Sequence, residues 1–452
     1  MENHLHDGRR LNAPHYKVAI IGAGFCGTMV AVNLAQMAPD MPIALIERNA
    51  DVGPGLAYGT PDPDHLLNVR GGNMGAFAGQ ADHFWKWLSK HPGTGATPNS
   101  FVQRRVYAQY LKEILAEARA AHSGVQVLNR HIVDIRRTNE RFEIVAKDGQ
   151  TIIADFVVLA LGNFPPDRLS NDAEVIDPYA PATWKQLSEP GDILIVGTGL
   201  TSLDLVVTLS RTKKDGIIRL LSRRGLLPRE HTAPGSHTLK WQPPHPKTVV
   251  GLLRAIRKEI ATHPDVPWQN IIDSFRTPTQ LIWQSLDQTE KRRFLRHLRP
   301  YWDSHRHRCA PEIMEFYRTL ERDGRMRLHA GSIIAQTRGG QGWKVTWHPR
   351  GKKSDETFFV RQIVRCTGPQ NDFRKLPDEL VQNLLKSGLI APDPLALGIS
   401  TNLSFQATDA TGKNVSNLYT LGTVLRGRLY ESVAVPELRE QAKAIAEQIA
   451  AA

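Results

Sequence analysis

Two short apolar runs in the chain each end in a turn rich in small residues. The first run covers residues 18–21 and the second covers residues 193–196. Apolar runs of this length predict strands buried on both faces of a parallel sheet, and a helical pattern follows each turn. The turns share one spacing: Gly22, Gly24 and Gly27 in the first, and Gly197, Gly199 and Ser202 in the second. Such turns hold phosphates at a helix start, so the pattern predicts two dinucleotide-binding units.

The residues downstream make the two units unequal. The first unit is predicted as a strand over 17–21, a helix over about 26–38 and a strand over 43–47. This last strand ends at Glu47, 20 residues after Gly27, where an acidic side chain binds the ribose of a dinucleotide. The second unit instead ends its strand over 217–222 with Arg223 and Arg224. Arginine grips a 2′-phosphate that a carboxylate would repel, so the second unit is predicted to bind NADP rather than NAD.

The remaining pattern predicts an α/β fold with two Rossmann-like three-layer domains, the second inserted in the first. Helices are predicted over 81–90, 104–121 and 436–451, and most of 247–327 is helical in pattern. Small antiparallel excursions are predicted over 125–153 and 333–348. Buried strands over 156–163, 360–368 and 417–423 each run into glycine. The predicted boundaries are a flexible tail over 1–15, a first domain over 16–185 and 351–452, and a second domain over 186–350 with a helical insert at about 240–327.

Composition narrows the class of protein. The 452 residues are 41% hydrophobic and 23% charged, as in a globular protein with a sizeable core. No apolar stretch reaches the roughly 20 residues of a membrane span, and the polar start lacks a signal-peptide core, so we expect a cytoplasmic protein. The three cysteines are far apart without a Cys-x-x-Cys, which excludes a sequence-local redox disulfide.

The net charge of +12 lies entirely within residues 211–330, which hold 24 Lys and Arg against 12 Asp and Glu. This excess predicts an anionic ligand, either a 2′-phosphorylated nucleotide or a carboxylate substrate. No nucleic-acid motif accompanies it, so nucleic acid is not expected as a partner.

The order of these parts resembles the two-dinucleotide-binding flavoprotein superfamily over nearly the whole chain. Three stretches, at 55–69, 298–308 and 393–398 together with 425–436, are similar to a bacterial family that contains FAD-dependent urate hydroxylase and the aspartate N-monooxygenase. Where the superfamily has Gly-Asp after its last strand, this chain has Gly422-Thr423. The contact of that Asp with the flavin ribityl or phosphate therefore does not carry over.

The resemblance implies FAD in the first domain, NADPH in the second and O₂ as co-substrate. NADPH would reduce FAD, and a flavin C4a-hydroperoxide would hydroxylate a small, polar, anionic metabolite, with urate-type ring hydroxylation slightly preferred over N-hydroxylation of an amino group. The flavin carries the chemistry, so no catalytic side chain is predicted. A homo-oligomer is compatible with the sequence. The alternatives are an NADPH-dependent reductase that serves a partner or quinone, and a non-catalytic dinucleotide sensor.

Further candidate residues lie beside the predicted turns or in the similar stretches. The additional cofactor ligands are Arg48, Tyr58, Thr60, His65, Asn68, Arg105, Gly162, Thr201, Gly368, Gly422 and Glu431, with Tyr58, Thr60, His65 and Asn68 predicted beside the isoalloxazine. The substrate candidates are Arg299, His305, Arg306, His307 and Arg426. On a strand His305 and His307 would share a face, but only Asp303 lies near them in sequence, so no metal site is predicted.

Overall fold

The computed structural model describes residues 13–91, 95–166, 176, 178, 187, 189–212, 215–234 and 247–452. These residues form two compact units. Unit 1 takes the described parts of 1–61, 70–164 and 370–452, and unit 2 takes 62–69 and the described parts of 165–369. The residues of the second unit thus interrupt those of the first in the sequence, and the limits of the second unit differ from the predicted 186 and 350.

Unit 1 is built on a mostly parallel sheet. Its central strand β1 (His15–Ile21) lies between β2 (Ile43–Glu47) and β6 (Thr151–Leu159), and the order is β13-β14-β6-β1-β2-β3. Val18 is opposite Ile43 on one side and Phe156 on the other. The remaining strands of this path are β3 (Val125–Asn129), β13 (Gln406–Thr408) and β14 (Asn414–Thr420). The central strands are buried on both faces, which explains their uninterrupted apolar sequences.

The helices of unit 1 are α1 (Phe25–Met37), α2 (Gly55–Tyr58), α3 (His83–Ser89), α4 (Arg104–Ala121), α12 (Glu379–Lys386) and α13 (Val435–Ala450). Helix α1 packs against both α4 and α13. Nearly all residues of α1 from Phe25 to Ala35 are buried, so this helix lies inside the unit and not on its surface.

The antiparallel excursion of unit 1 is smaller than predicted. Strands β4 (Ile132–Thr138) and β5 (Arg141–Ala146) pair antiparallel, and β5 pairs with the first half of β6. The run at 125–128 was predicted to belong to this excursion, and that prediction is wrong. It forms β3, which pairs parallel with β2 at the edge of the main sheet.

Unit 2 has a six-stranded sheet in the order β11-β10-β9-β8-β7-β12. The strands are β7 (Ile193–Val196), β8 (Ile218–Ser222), β9 (Met326–Gly339), β10 (Gly342–Pro349), β11 (Glu356–Val360) and β12 (Gln362–Arg365). The sequence placed 351–369 in the first domain. The structure corrects this, because β12 pairs in parallel with β7 and β11 pairs with β10, all within unit 2.

The helices of unit 2 are α5 (Leu200–Thr212), α6 (Val249–Thr262), α7 (Trp268–Asp273), α8 (Thr279–Ser285), α9 (Gln288–Arg293), α10 (Arg299–Arg306) and α11 (Pro311–Arg322). A π-helical turn over Phe294–Leu298 joins α9 to α10. The part of the helical insert at 240–246 lies outside the described residues. None of the described helices is both long and apolar enough to cross a membrane.

Candidate functional site

The first glycine turn is fixed by backbone carbonyl groups. Gly22 has φ +100°, and a β-carbon there would lie 2.4 Å from the carbonyl oxygen of Ala160. A β-carbon at Gly27 would lie 1.8 Å from the carbonyl oxygen of Gly22, so only glycine allows α1 to pack this closely on β1. No side chain in the described chain caps α1. Its first N–H groups can therefore bind phosphate oxygens.

Glu47 has a structural role in addition to its predicted role as a ribose ligand. Its Oε2 accepts a hydrogen bond from the N–H of Ala23 in the glycine turn at 2.9 Å, and its Oε1 accepts one from the N–H of Asn49 at 3.1 Å. Each carboxylate oxygen can accept a further hydrogen bond. The side chain can thus hold the turn and still accept the hydroxyls of a ribose.

The second glycine turn repeats the first with one exchange. Gly197 has φ +114°, and a β-carbon there would lie 2.1 Å from the carbonyl oxygen of Cys366. Ser202 is fully buried, and its hydroxyl donates to the carbonyl of Gly197 at 2.8 Å. Ser202 therefore stabilises its turn by a hydrogen bond to the carbonyl of Gly197. Gly27, at the same position of the first turn, only packs against the carbonyl of Gly22. Gly199 is exposed, and a β-carbon there would meet no atom within 4 Å. Thr201 is half-buried in α5, directly after this turn.

The two arginines after β8 have different surroundings. Arg223 is exposed, and its side chain has no hydrogen bond, ion pair or cation–π contact with a residue that the structure describes. The guanidinium of Arg224 lies 5.5 Å from the ring centroid of Tyr301. Hydrogen bonds from Arg350 and then Arg224 lower the pKa of the Tyr301 phenol. Arg223 is therefore the cation available to a ligand. Tyr301 lies in a stretch that carried the family resemblance, whereas no sequence signal pointed to Arg350.

The loop after β2 starts against the first glycine turn. The N–H of Gly53 donates to the carbonyl of Ala23 at 2.8 Å. Tyr58 ends α2 with its ring 4.6 Å from the ring of Tyr107, and burial raises the pKa of its phenol. Thr60 follows in the same unit and is half-buried.

His65 and Asn68 belong to unit 2, not to unit 1 with Tyr58 and Thr60. His65 is buried, and its Nε2 lies 2.9 Å from the carbonyl oxygen of Asp204 and 3.0 Å from the hydroxyl of Thr208. The carbonyl of Asn68 lies 3.0 Å from Nε2 of His231. The set predicted to line the isoalloxazine is thus divided between the units.

The strand-end glycines carry backbone contacts. Thr423 Oγ1 donates to the carbonyl of Gly162 at 3.0 Å, so the residue that replaces the superfamily's Asp joins the ends of β14 and β6. The N–H of Gly422 donates to the side chain of Gln441 at 3.0 Å. At Gly368, after β12, a β-carbon would meet no atom within 4 Å.

Two predicted cationic ligands of unit 1 are on its surface. Arg48 is half exposed and lies 3.8 Å from Asp378. Arg105 is exposed in the first turn of α4, and its Nε donates to Gln103 at 2.9 Å. Both side chains thus have partners within unit 1. Their positions are explained without a ligand.

The substrate candidates of unit 2 lie on α10 and directly after it. Asp303 is 3.3 Å from Nε of Arg299 and 3.6 Å from Nδ1 of His307. The ring of His305 lies 4.9 Å from the ring of Trp268, and Arg306 ends the helix. Because this segment is a helix end and not a strand, His305 and His307 do not share a face. Among the described residues, no group of three or more His, Cys, Asp or Glu could hold a metal ion.

Arg426 and Glu431, the last two candidates, are buried in unit 1. Arg426 is 6% exposed and Glu431 is 5% exposed. The guanidinium of Arg426 lies 5.1 Å from the ring centroid of Tyr430, one residue before Glu431.

Comparison with known proteins agrees with this geometry. Residues 19–164 match the model of a family described as FAD-NAD(P)-binding. The matched residues include the first glycine turn and Glu47, to which the sequence assigned FAD. The uncharacterized protein YdhS of Escherichia coli (strain K12) is 22% identical over 253 residues. That match covers 47% of this chain and spans about half of the relative, 46% of its length.

Solved structures share the fold over almost the whole chain. One is the ornithine N-hydroxylase KtzI of Kutzneria sp. 744 with reduced FAD, NADP+ and L-ornithine, at 14% identity and a TM-score of 0.66, covering 96% of this chain and 99% of that one. Another is the bacillithiol disulfide reductase Bdr of Staphylococcus aureus, at 12% identity and a TM-score of 0.56, covering 97% and 99%. The α/β fold is thereby confirmed.

Proposed function

We propose that this chain, whose fold is that of two-dinucleotide-binding flavoproteins, is an FAD-dependent monooxygenase that uses NADPH and O₂. The observation that carries the proposal is the pair of glycine turns. In each, a carbonyl from a neighbouring strand end excludes a β-carbon at the first glycine, 2.4 Å away in unit 1 and 2.1 Å away in unit 2. Two such turns on two sheets supply a site for each dinucleotide.

FAD fits the residues of unit 1. The uncapped start of α1 would bind the pyrophosphate, and Glu47 would accept the adenosine ribose hydroxyls. When bound, FAD supplies hydride acceptance and reaction with O₂, while the protein orients it and excludes water. The tightly packed turn helps because a loose one would leave the pyrophosphate without fixed N–H donors.

NADPH fits unit 2. The start of α5 follows the open Gly199, which leaves the backbone accessible to a pyrophosphate. Arg223 would bind the 2′-phosphate, because it is exposed and its side chain has no hydrogen bond or ion pair with another described residue. Ser202 would act only on the turn.

A monooxygenase is preferred over the reductase alternative because the ornithine N-hydroxylase superposes better than the disulfide reductase, with TM-scores of 0.66 and 0.56. In addition, Cys26, Cys309 and Cys366 form no disulfide, which disfavours a reductase with a dithiol relay but does not bear on one that serves a quinone. The substrate proposed is a small, polar metabolite with an anionic group. The sequence slightly favoured ring hydroxylation, but the N-hydroxylating neighbour now makes an amino group the preferred target.

The test is a metabolite panel with the purified protein. We expect a flavin spectrum, and NADPH oxidation with O₂ uptake that an amino acid stimulates, yielding a product one oxygen heavier. A purine product would restore ring hydroxylation. Stimulated NADPH oxidation without oxygen transfer would support the reductase, and a protein that takes up no FAD would refute the proposal.

A further inference from the structure

Arg426 is a buried cation without a carboxylate. It is 6% exposed, its Nε has no hydrogen-bond partner among the described residues, and the same residues form no ion pair with it. Its guanidinium faces the ring of Tyr430 at 5.1 Å. Of the buried acids, Asp393 lies beside Gly427 and accepts from the N–H of Leu395 at 2.8 Å, and Glu431 is near Arg426 in sequence. A buried guanidinium is costly unless an anion compensates it, which indicates that a ligand does so.

The position of Arg426 at the end of the sheet indicates which part of the ligand this side chain faces. Arg426 follows the 3₁₀ turn Gly422–Leu425 at the carboxyl end of β14. The sheet order β14-β6-β1-β2 places Glu47 on the other side of the glycine turn. A dinucleotide with its pyrophosphate at the β1 turn and its adenosine ribose at Glu47 must extend its other half over β6 toward β14. In FAD that half is the flavin.

We propose that Arg426 is the counter-charge of the reduced flavin. This inference rests on the proposed binding of FAD to unit 1. A hydride that reaches N5 of the flavin brings two electrons and one proton, so the ring gains one negative charge, shared between N1 and the C2 carbonyl. A guanidinium in a buried site interacts with that charge far more strongly than it would in water. Arg426 therefore stabilises the reduced form over the oxidised form and raises the two-electron potential of the flavin.

This role differs from that of a substrate ligand. A substrate contact would change KM and leave the flavin potential unchanged. A pyrophosphate contact would weaken FAD in both redox states equally, because the phosphates keep their charge. Only a contact with the ring distinguishes the two states.

The experiment measures FAD dissociation constants and the two-electron potential by anaerobic titration against reference dyes. R426M removes the charge and R426K keeps it. R428M is the matched control, because Arg428 is an exposed cation two residues further on. We expect R426M to weaken the preference for reduced over oxidised FAD at least tenfold, which lowers the potential by about 30 mV. R426K and R428M should stay close to the unsubstituted protein.

Three outcomes would overturn the inference. One is an unchanged potential in R426M that still binds FAD, and another is an equal loss of affinity for both redox states. The third is an R428M potential that falls as far as that of R426M. If R426M does not fold, R426Q with R426K gives the same contrast between a neutral and a charged side chain. An unsubstituted protein that binds no FAD would instead refute the proposed function.

Discussion

At the scale of single residues, the two glycine turns differ in how the carbonyl of their first glycine is used. Gly27 leaves no room beside the carbonyl of Gly22, and Ser202 donates to the carbonyl of Gly197. We expect G27A to lose bound flavin and to unfold more easily, because its β-carbon would meet backbone. S202A should lose about 1 kcal/mol of unfolding free energy, the value of one hydrogen bond. Chemical denaturation and flavin content would check both. A folded, yellow G27A would contradict this account of the turn.

Arg223 and Arg224 permit a second comparison between neighbours. R223A should weaken NADPH about tenfold or more, because a charge-assisted hydrogen bond contributes about 1.5–3 kcal/mol. NADH, which lacks the 2′-phosphate, should bind R223A as it binds the unsubstituted protein. R224A should have the smaller effect on NADPH, because the guanidinium of Arg224 already lies 5.5 Å from the ring centroid of Tyr301. Titrations with both nucleotides would measure this, and equal losses for NADPH and NADH would contradict the 2′-phosphate assignment.

At the scale of elements, the segment 62–69 is attached to α5 through a buried acid. Asp62 accepts from the hydroxyl of Thr208 at 2.6 Å and from Arg211 at 2.5 Å. Burial alone would raise the pKa of Asp62. The hydrogen bonds from Thr208 and the Asp64 N–H, with the positive charges of His65 and Arg211, outweigh burial and lower it. A depressed pKa stabilises the fold at neutral pH, and this contribution is lost as the pH falls below about 4.

We therefore expect D62N to lower the unfolding free energy by about 1.5–3 kcal/mol at pH 7. The difference from the unsubstituted protein should shrink in denaturation curves recorded below about pH 4. D64N is the matched control, because Asp64 also binds Arg211, at 2.7 Å, but is 49% exposed. Its loss should stay under about 1 kcal/mol. A D62N loss no larger than that of D64N would show that this attachment does not stabilise unit 2.

The strand–turn–helix units were predictable because buried parallel strands need uninterrupted apolar runs and tight turns need glycine. The partners of those strands were not. An apolar run such as 125–128 or 360–366 reports burial but not the sheet that buries it, and both were misassigned. The contacts of His65 were also not predictable, since sequence places it near Tyr58 while its contacts are with α5. Arg426 was named as a candidate, but its lack of a carboxylate appears only in three dimensions.

At the scale of the molecule, the charge excess predicts how the nucleotide binds. Residues 211–330 carry all of the +12 net charge, and NADPH has two more negative charges than NADH at its 2′-phosphate. Raising the ionic strength from about 0.1 to 1 M shortens the screening length from roughly 10 to 3 Å. We expect the NADPH dissociation constant to rise several-fold and that of NADH to rise less. Fluorescence titrations in both salts would show it, and parallel changes would contradict it.

The interrupted sequence of unit 1 also determines the order in which the molecule can be made. Its sheet needs β14, which ends at Thr420 and pairs with β6, whereas the unit 2 sheet is complete at Arg365. A ribosome therefore releases every strand of the later domain before the last strand of the earlier one. Domains usually fold in the order of synthesis, but here the sheet of unit 1 can be completed only after all strands of unit 2 have been made. During that interval only the end of β6, at Val157 to Leu159, lacks its partner strand, and this short edge is open to pairing with another chain.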